Sequence, residues 1–186
     1  MEMLILGLTI WCIVHFIPAI TPSVKQQWIS LLGENGYKAS FAVLIFISLV
    51  LISLGWRSTQ PVYLYTLPAI ATHIAMGLMI IAFILLGAAN SPTRIKRYIR
   101  HPQLSGVLVW TIAHLILNGD NRSVLLFATL GVWTIFEMFF INKREGQWLK
   151  PQAPSFGQEI KSLAISMAVL IVAIIAHPYI SGVAIR

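Results

Sequence analysis

Apolar positions gather into six long runs separated by short polar segments, at Met3–Ile20, Ala39–Trp56, Pro68–Ala89, Gln103–Asn118, Ser123–Ile141 and Ile160–Pro178. Each run is close to the roughly 20 residues that cross about 30 Å of hydrocarbon at about 1.5 Å rise per residue. The pattern predicts an all-α fold, an integral membrane bundle of six transmembrane helices forming a single domain over 1–186. No large soluble domain fits between the runs. The first run begins with Glu2 and is followed by ITPSVKQQW without a small-residue cleavage site, so it is expected to stay as an anchor rather than be cut as a signal peptide.

Between the first two runs, VKQQWISLLGENGYK places Val24, Trp28, Leu31 and Leu32 at helical spacing. It reads as an amphipathic turn or two lying in the membrane interface, broken by Gly33 and Gly36. KPQAPSFGQ, with Pro151, Pro154 and Gly157, reads as a loop. No internal repeat stands out.

Composition agrees with a lipid medium: 58% of residues are hydrophobic, 10% are charged and mean hydropathy is +0.81, far from the averages of soluble domains. The net charge of +7 is unevenly placed. Lys25, Lys38, Arg94, Lys96, Arg97, Arg100, Lys143, Arg144, Lys150 and Lys161 fall in loops on one side, and Arg57, Arg122 and Arg186 on the other. Basic residues favour the cytoplasmic side, so both termini are expected in the periplasm of a bacterial inner membrane. This bias accounts for the charge, including TRIKRYIR, without a nucleic-acid partner; the lipid bilayer is the partner expected. One cysteine, Cys12, excludes an intrachain disulfide.

The chain lacks a phosphate-binding glycine loop, an HExxH zinc helix and a GxSxG elbow. It also lacks the charge-bearing broken helices of a secondary transporter.

Histidine carries the remaining chemistry. All five, His15, His73, His101, His114 and His177, lie in or at the edges of the runs, and an ionisable side chain in a bilayer points to a functional site. His114 has the strongest setting. Gln103, Val107, Thr111, His114 and Asn118 fall on one helix face, leaving Leu104, Val109, Ile112 and Leu115 for lipid. Imidazole at such a place suits heme iron or another transition metal.

By rise per residue, His15 lies about 18 Å, His73 about 7 Å and His114 about 6 Å from the outer ends of their spans, so depth alone pairs His73 with His114. His101, beside Pro102, reads as a helix start. His177, beside Pro178, reads as an interfacial or capping residue. Glu137, buried in the fifth run, needs a partner, for which Arg97, Arg100 and His101 are the candidates.

RHPQLSGVLVWTIAHLILNGD, together with WCIVHF, ATHIAMGLMIIAFILLGAA and IAHPYI in order along the chain, resembles the NnrU family. That family is in turn similar to the 15-cis-zeta-carotene isomerases. The resemblance implies a multi-pass membrane protein related to heme b proteins, linked to nitric oxide and nitrite metabolism in denitrification. The residues matching the isomerases' iron ligands are His15 and His114, with His73 kept as the alternate. Trp110, Thr111 and Asn118 are expected around His114, and Arg57 and Arg122 are candidates for heme propionates. Where the isomerases carry a cysteine one turn before the histidine, this chain has Thr111. The ligand expected is NO or an apolar small molecule. Two other readings stand beside the nitrogen-oxide one. One is a heme-dependent isomerase acting on a polyene, favoured by a long apolar cleft beside the iron. The other is a cofactor-free assembly or scaffold protein, in which Gly77, Ser105 and Gly106 permit close helix packing.

Overall fold

A computed structural model describes residues 1–182; Arg186, counted above on the sparsely charged side, lies outside the described residues. The elements are α1 (Glu2–Ile20), α2 (Pro22–Ser58), α3 (Ile70–Ala89), a single 3-10 turn (Arg94–Arg97), α4 (Pro102–Leu117), α5 (Asn121–Glu145) and α6 (Phe156–Ser181). The fold is an all-α membrane bundle. Five of the helices are long and apolar enough to span a bilayer, and α4, with 16 residues, is the short one.

Local chemistry explains where the helices begin. Pro22 and Pro102 occupy first-turn positions, where a missing N–H costs nothing. Asp120 caps α5, and Ser155 with Gln158 forms a capping box on α6. The expected interfacial segment is helical and runs into the second span as one kinked helix. Its break lies at Gly33 alone, whose φ of 71° and ψ of 169° suit a residue without a Cβ. Gly36 is helical, which corrects the second expected break. Across the bend the Trp28 and Tyr37 rings meet at 5.1 Å, and Leu31 and Leu32 stay exposed on the interfacial piece.

Neighbouring helices follow the order α2, α1, α5, α4, α3, α6. α5 thus stands between α1 and α4. The loops meet in two groups. At the basic face, Arg100 pairs with Glu145 at 3.3 Å, His101 Nε2 bonds Asn142 Oδ1 at 2.8 Å, the Arg94 N–H donates to Glu159, and Arg144 donates to the Pro18 carbonyl. At the opposite end, here the N-face, the Leu64 N–H donates to the Gly119 carbonyl at 2.7 Å and Tyr65 donates to the Leu115 carbonyl. Also at the N-face, Trp56 Nε1 donates to the Ser181 carbonyl at 3.3 Å.

The core forms where α1 meets α5: Leu4, Leu8, Leu130 and Trp133 are buried, with Trp11, Phe16, Leu104, Val107 and Trp110 against them. Leu104 therefore faces protein rather than lipid, while Ile112 is exposed as expected. The lipid-facing surfaces carry large apolar side chains such as Phe46, Ile171, Val172 and Ile175, which in a membrane need no protein partner.

α1 and α2 approach closely because Gly7 and Gly55 lack side chains. A Cβ on Gly55 would stand 2.7 Å from the Leu4 Cα, and one on Gly7 2.8 Å from the Ser48 carbonyl. Gly77 is different, since a Cβ there would meet nothing within 4 Å, whereas one on Gly106 would stand 3.0 Å from the Ala82 carbonyl. Gly55→Leu is accordingly expected to cost about 3 kcal/mol or more through overpacking. Gly77→Leu is expected to be neutral or slightly stabilising, because leucine is the better helix former. Denaturant titration in mild detergent micelles checks both; equal effects would remove the packing account.

Candidate functional site

α1 and α4 each carry the same local arrangement. Trp11 and His15 in WCIVH, and Trp110 and His114 in WTIAH, stand four residues apart on one helical face. In each, the histidine Nδ1 lies 2.9 Å from the tryptophan carbonyl oxygen. A carbonyl only accepts, so Nδ1 carries the proton in both rings and the Nε2 lone pair is the one left to bind a ligand. Fixing one ring nitrogen in this way is how proteins prepare a histidine for a metal. The rings of each pair are tilted against one another, at 4.3 Å for Trp11–His15 and 4.8 Å for Trp110–His114. The repeated W-x-x-x-H is visible in the sequence. The two copies share their central isoleucine, Ile13 and Ile112, as well as their first and last residues, and lie far apart in the chain.

The two histidines occupy different parts of the bundle. His15 lies among Trp11, Phe41 and Trp133, at 4.3, 5.5 and 5.0 Å between ring centres. His114 lies among Trp110, Phe127 and His177, at 4.8, 4.4 and 6.5 Å. Phe127 and Trp133 both belong to α5 and are six residues apart, about 9 Å along its axis. Two nitrogens on one ion stand only about 4 Å apart, twice a metal–nitrogen bond of about 2.0 Å. Among the described residues no ring contact joins His15 and His114, which meet α5 at different residues, Trp133 and Phe127. His73, at the start of α3, is exposed and meets neither.

Around His114, Asn118 donates through Nδ2 to the His114 carbonyl at 3.0 Å and closes the helix there. Trp110 contributes its carbonyl and its ring. Thr111 is buried but turns away, its hydroxyl donating to the Leu108 carbonyl at 2.7 Å and its side chain lying over Gly131. Gln103 is exposed, so the polar stripe does not continue inward to it.

His177 is the residue that helical position alone did not single out. Ser181 Oγ donates to the His177 carbonyl at 2.9 Å and lies 3.3 Å from His177 Nδ1. Two cations flank this end of the bundle. Arg122 packs over the Trp56 ring at 4.4 Å and donates to the Trp56 carbonyl at 3.2 Å, and Trp56 in turn packs on Phe127. Arg57 donates to the Tyr179 carbonyl at 3.4 Å.

The α1–α5 interface holds a second polar group. Trp11 Nε1, Trp133 Nε1 and Glu137 Oε2 are buried without hydrogen-bond partners among the described residues. Two of the partners expected for Glu137 are engaged elsewhere: Arg100 pairs with Glu145, and His101 bonds Asn142. A groove of about 350 Å³, lined by Cys12, Phe16, Ala128, Thr129, Val132, Trp133 and Phe136, opens beside this group. Among the described residues no three or more His, Cys, Asp or Glu side chains gather as a metal site.

No curated protein and no solved structure matches the chain. The family model described as NnrU protein matches residues 3–185, nearly its whole length. This multi-pass membrane protein belongs to the NnrU family.

Proposed function

We propose that the protein binds heme b, which His114 would help to hold, and works in the nitrogen-oxide metabolism that the family resemblance implies. The observation that carries this reading is the state of His114. Its Nδ1–H is held by the Trp110 carbonyl and its ring is enclosed by Trp110 and Phe127. A neutral imidazole with its Nε2 lone pair presented to an aromatic interior suits heme iron. The setting also fits a porphyrin's anionic edge, because Arg57 and Arg122 sit at the same end of the bundle. Heme, when bound, supplies one-electron chemistry and a binding place for diatomic gases. The chain's own residues orient the ligand ring, exclude water through the aromatic lining, and offer cations at the N-face. We place that face in the periplasm of a bacterial inner membrane, since among the described residues the N-face loops carry only Arg57 and Arg122.

Optical spectra of the full chain, purified in detergent after expression with heme supplied, test the reading. A Soret band with sharp α and β bands on reduction, shifted by NO, is the expected result. A protein without a Soret band would overturn it and leave the cofactor-free scaffold.

One observation favours the polyene isomerase as a second reading. The α1–α5 groove is apolar and opens beside Cys12 and Trp133, the surroundings of His15. That reading therefore requires iron at His15 rather than at His114.

A further inference from the structure

We infer that QPVYLYTLPA, residues 60–69 between α2 and α3, is a lipid-contact surface that lies over the N-face end of α4 and seats Val62, Leu64 and Leu67 at the edge of the hydrocarbon. The inference does not depend on the heme reading.

Helix length sets the level of this segment. α4 has 16 residues, about 24 Å, whereas α3 has 20, about 30 Å, which matches the hydrocarbon thickness. The two helices pack side by side and are level at the basic face. Gly106, four residues past the start of α4, meets Ala82 and Leu86, which stand seven and three residues before the end of α3. The difference in length therefore falls at the N-face, where α4 stops about 6 Å short of the hydrocarbon edge. Residues 60–69 fill that step: the Leu64 and Tyr65 N–H groups both donate to the Gly119 carbonyl, two residues beyond the end of α4.

The polar groups here are paired as a dry setting requires. A helix leaves its last carbonyls without intrahelical donors, and water commonly meets them. At this end the Tyr65 hydroxyl donates to the Leu115 carbonyl at 2.5 Å, and Asn118 Nδ2 donates to the His114 carbonyl at 3.0 Å. Val62 exchanges bonds with Asn121, its N–H donating to Oδ1 at 3.0 Å and its carbonyl accepting the Asn121 N–H at 2.9 Å. Pro61 and Pro68 have no N–H to satisfy. Irregular backbone at membrane depth is tolerated only where protein groups pair it in this way.

The side chains do the opposite, since Val62, Tyr63, Leu64 and Leu67 are exposed. No Asp, Glu, Lys or Arg occurs in the segment, and the nearby Arg57 and Arg122 are held by backbone carbonyls. Aliphatic side chains interleaved with tyrosine, free of charge, suit the boundary between acyl chains and headgroups.

The test places single cysteines in the full-length chain, in a Cys12→Ser background, and labels them with a nitroxide in vesicles of phosphatidylethanolamine and phosphatidylglycerol. Power-saturation electron paramagnetic resonance then reads collisions with oxygen, which concentrates in hydrocarbon, and with a water-soluble nickel chelate. Ile81→Cys, at an exposed site midway along α3, is the hydrocarbon standard, and Gln152→Cys, in the loop before α6, is the water standard. The label at Leu64→Cys is expected to meet nickel severalfold less than the one at Gln152→Cys while oxygen still reaches it. Val62→Cys is expected to repeat the result, so that a fold defect in one variant does not decide the matter; elution in detergent is the fold control. Nickel exposure at both sites equal to that at Gln152→Cys puts the segment in water and overturns the inference. Labels shielded from both reagents assign the surface to a protein contact, a second copy of the chain included, and overturn it as well.

Discussion

His114→Ala is expected to purify without heme, while His101→Ala retains the wild-type heme content per chain. The contrast follows from what each imidazole already does. His101 Nε2 is engaged by Asn142 at the basic face, and the residue starts α4 beside Pro102. His114 is held only through Nδ1, and its ring lies inside the aromatic group formed by Trp110 and Phe127. Removing residues that merely support a metal ligand lowers metal affinity by about 10–100-fold, so removing the ligand itself exceeds that range. The fold should survive, because the Trp110 carbonyl is an ordinary helix acceptor and the vacated space costs at most about 3 kcal/mol. Heme content per chain, with elution behaviour as the fold control, decides the matter. Full loading in His114→Ala would take that residue out of the site.

The helices were legible because each apolar run is long enough to exclude other structures, and proline and capping residues mark their starts. Pro102 places the start of α4 one residue before the predicted Gln103, and Asp120 starts α5 two residues before the predicted Ser123. The α2 kink was half legible. Two glycines looked equally able to break the helix, and the ring contact of Trp28 with Tyr37 forms around a bend at Gly33. His114 was legible as a site residue because a histidine in a membrane helix demands a reason. Its neighbour was not legible. Counting residues from span ends gives depth but not which helices touch, and α6 reaches the N-face beside α4 through packing that no local pattern encodes. The same limit explains Glu137. Charge matching suggested Arg100, but the end of α5 holds Arg100 through Glu145 and the Gly146 carbonyl.

Asp120→Ala is expected to be among the most damaging polar substitutions in the chain, at about 3 kcal/mol, from loss of a helix cap worth about 1 kcal/mol and of a largely buried charge partner. Asp120 Oδ1 accepts from the Arg122 and Ser123 backbone N–H groups at 3.2 and 3.1 Å, and Oδ2 accepts the Ser123 hydroxyl. The same carboxylate lies 3.3 Å from Arg122 Nε, and both side chains are mostly buried. Arg122 then reaches the Trp56 and Thr59 carbonyls and covers the Trp56 ring. One carboxylate thus starts α5, neutralises the buried guanidinium and holds the end of α2 against Phe127, which packs on His114. Asp120→Asn keeps an oxygen for the cap but gives up the charge, so it should lose about two-thirds as much as alanine does. Denaturant titration in micelles measures both. Equal losses in the two variants would assign the effect to charge alone, and an unchanged Asp120→Ala would show that solvent or lipid headgroups satisfy Arg122 and the α5 terminus as well as the carboxylate does.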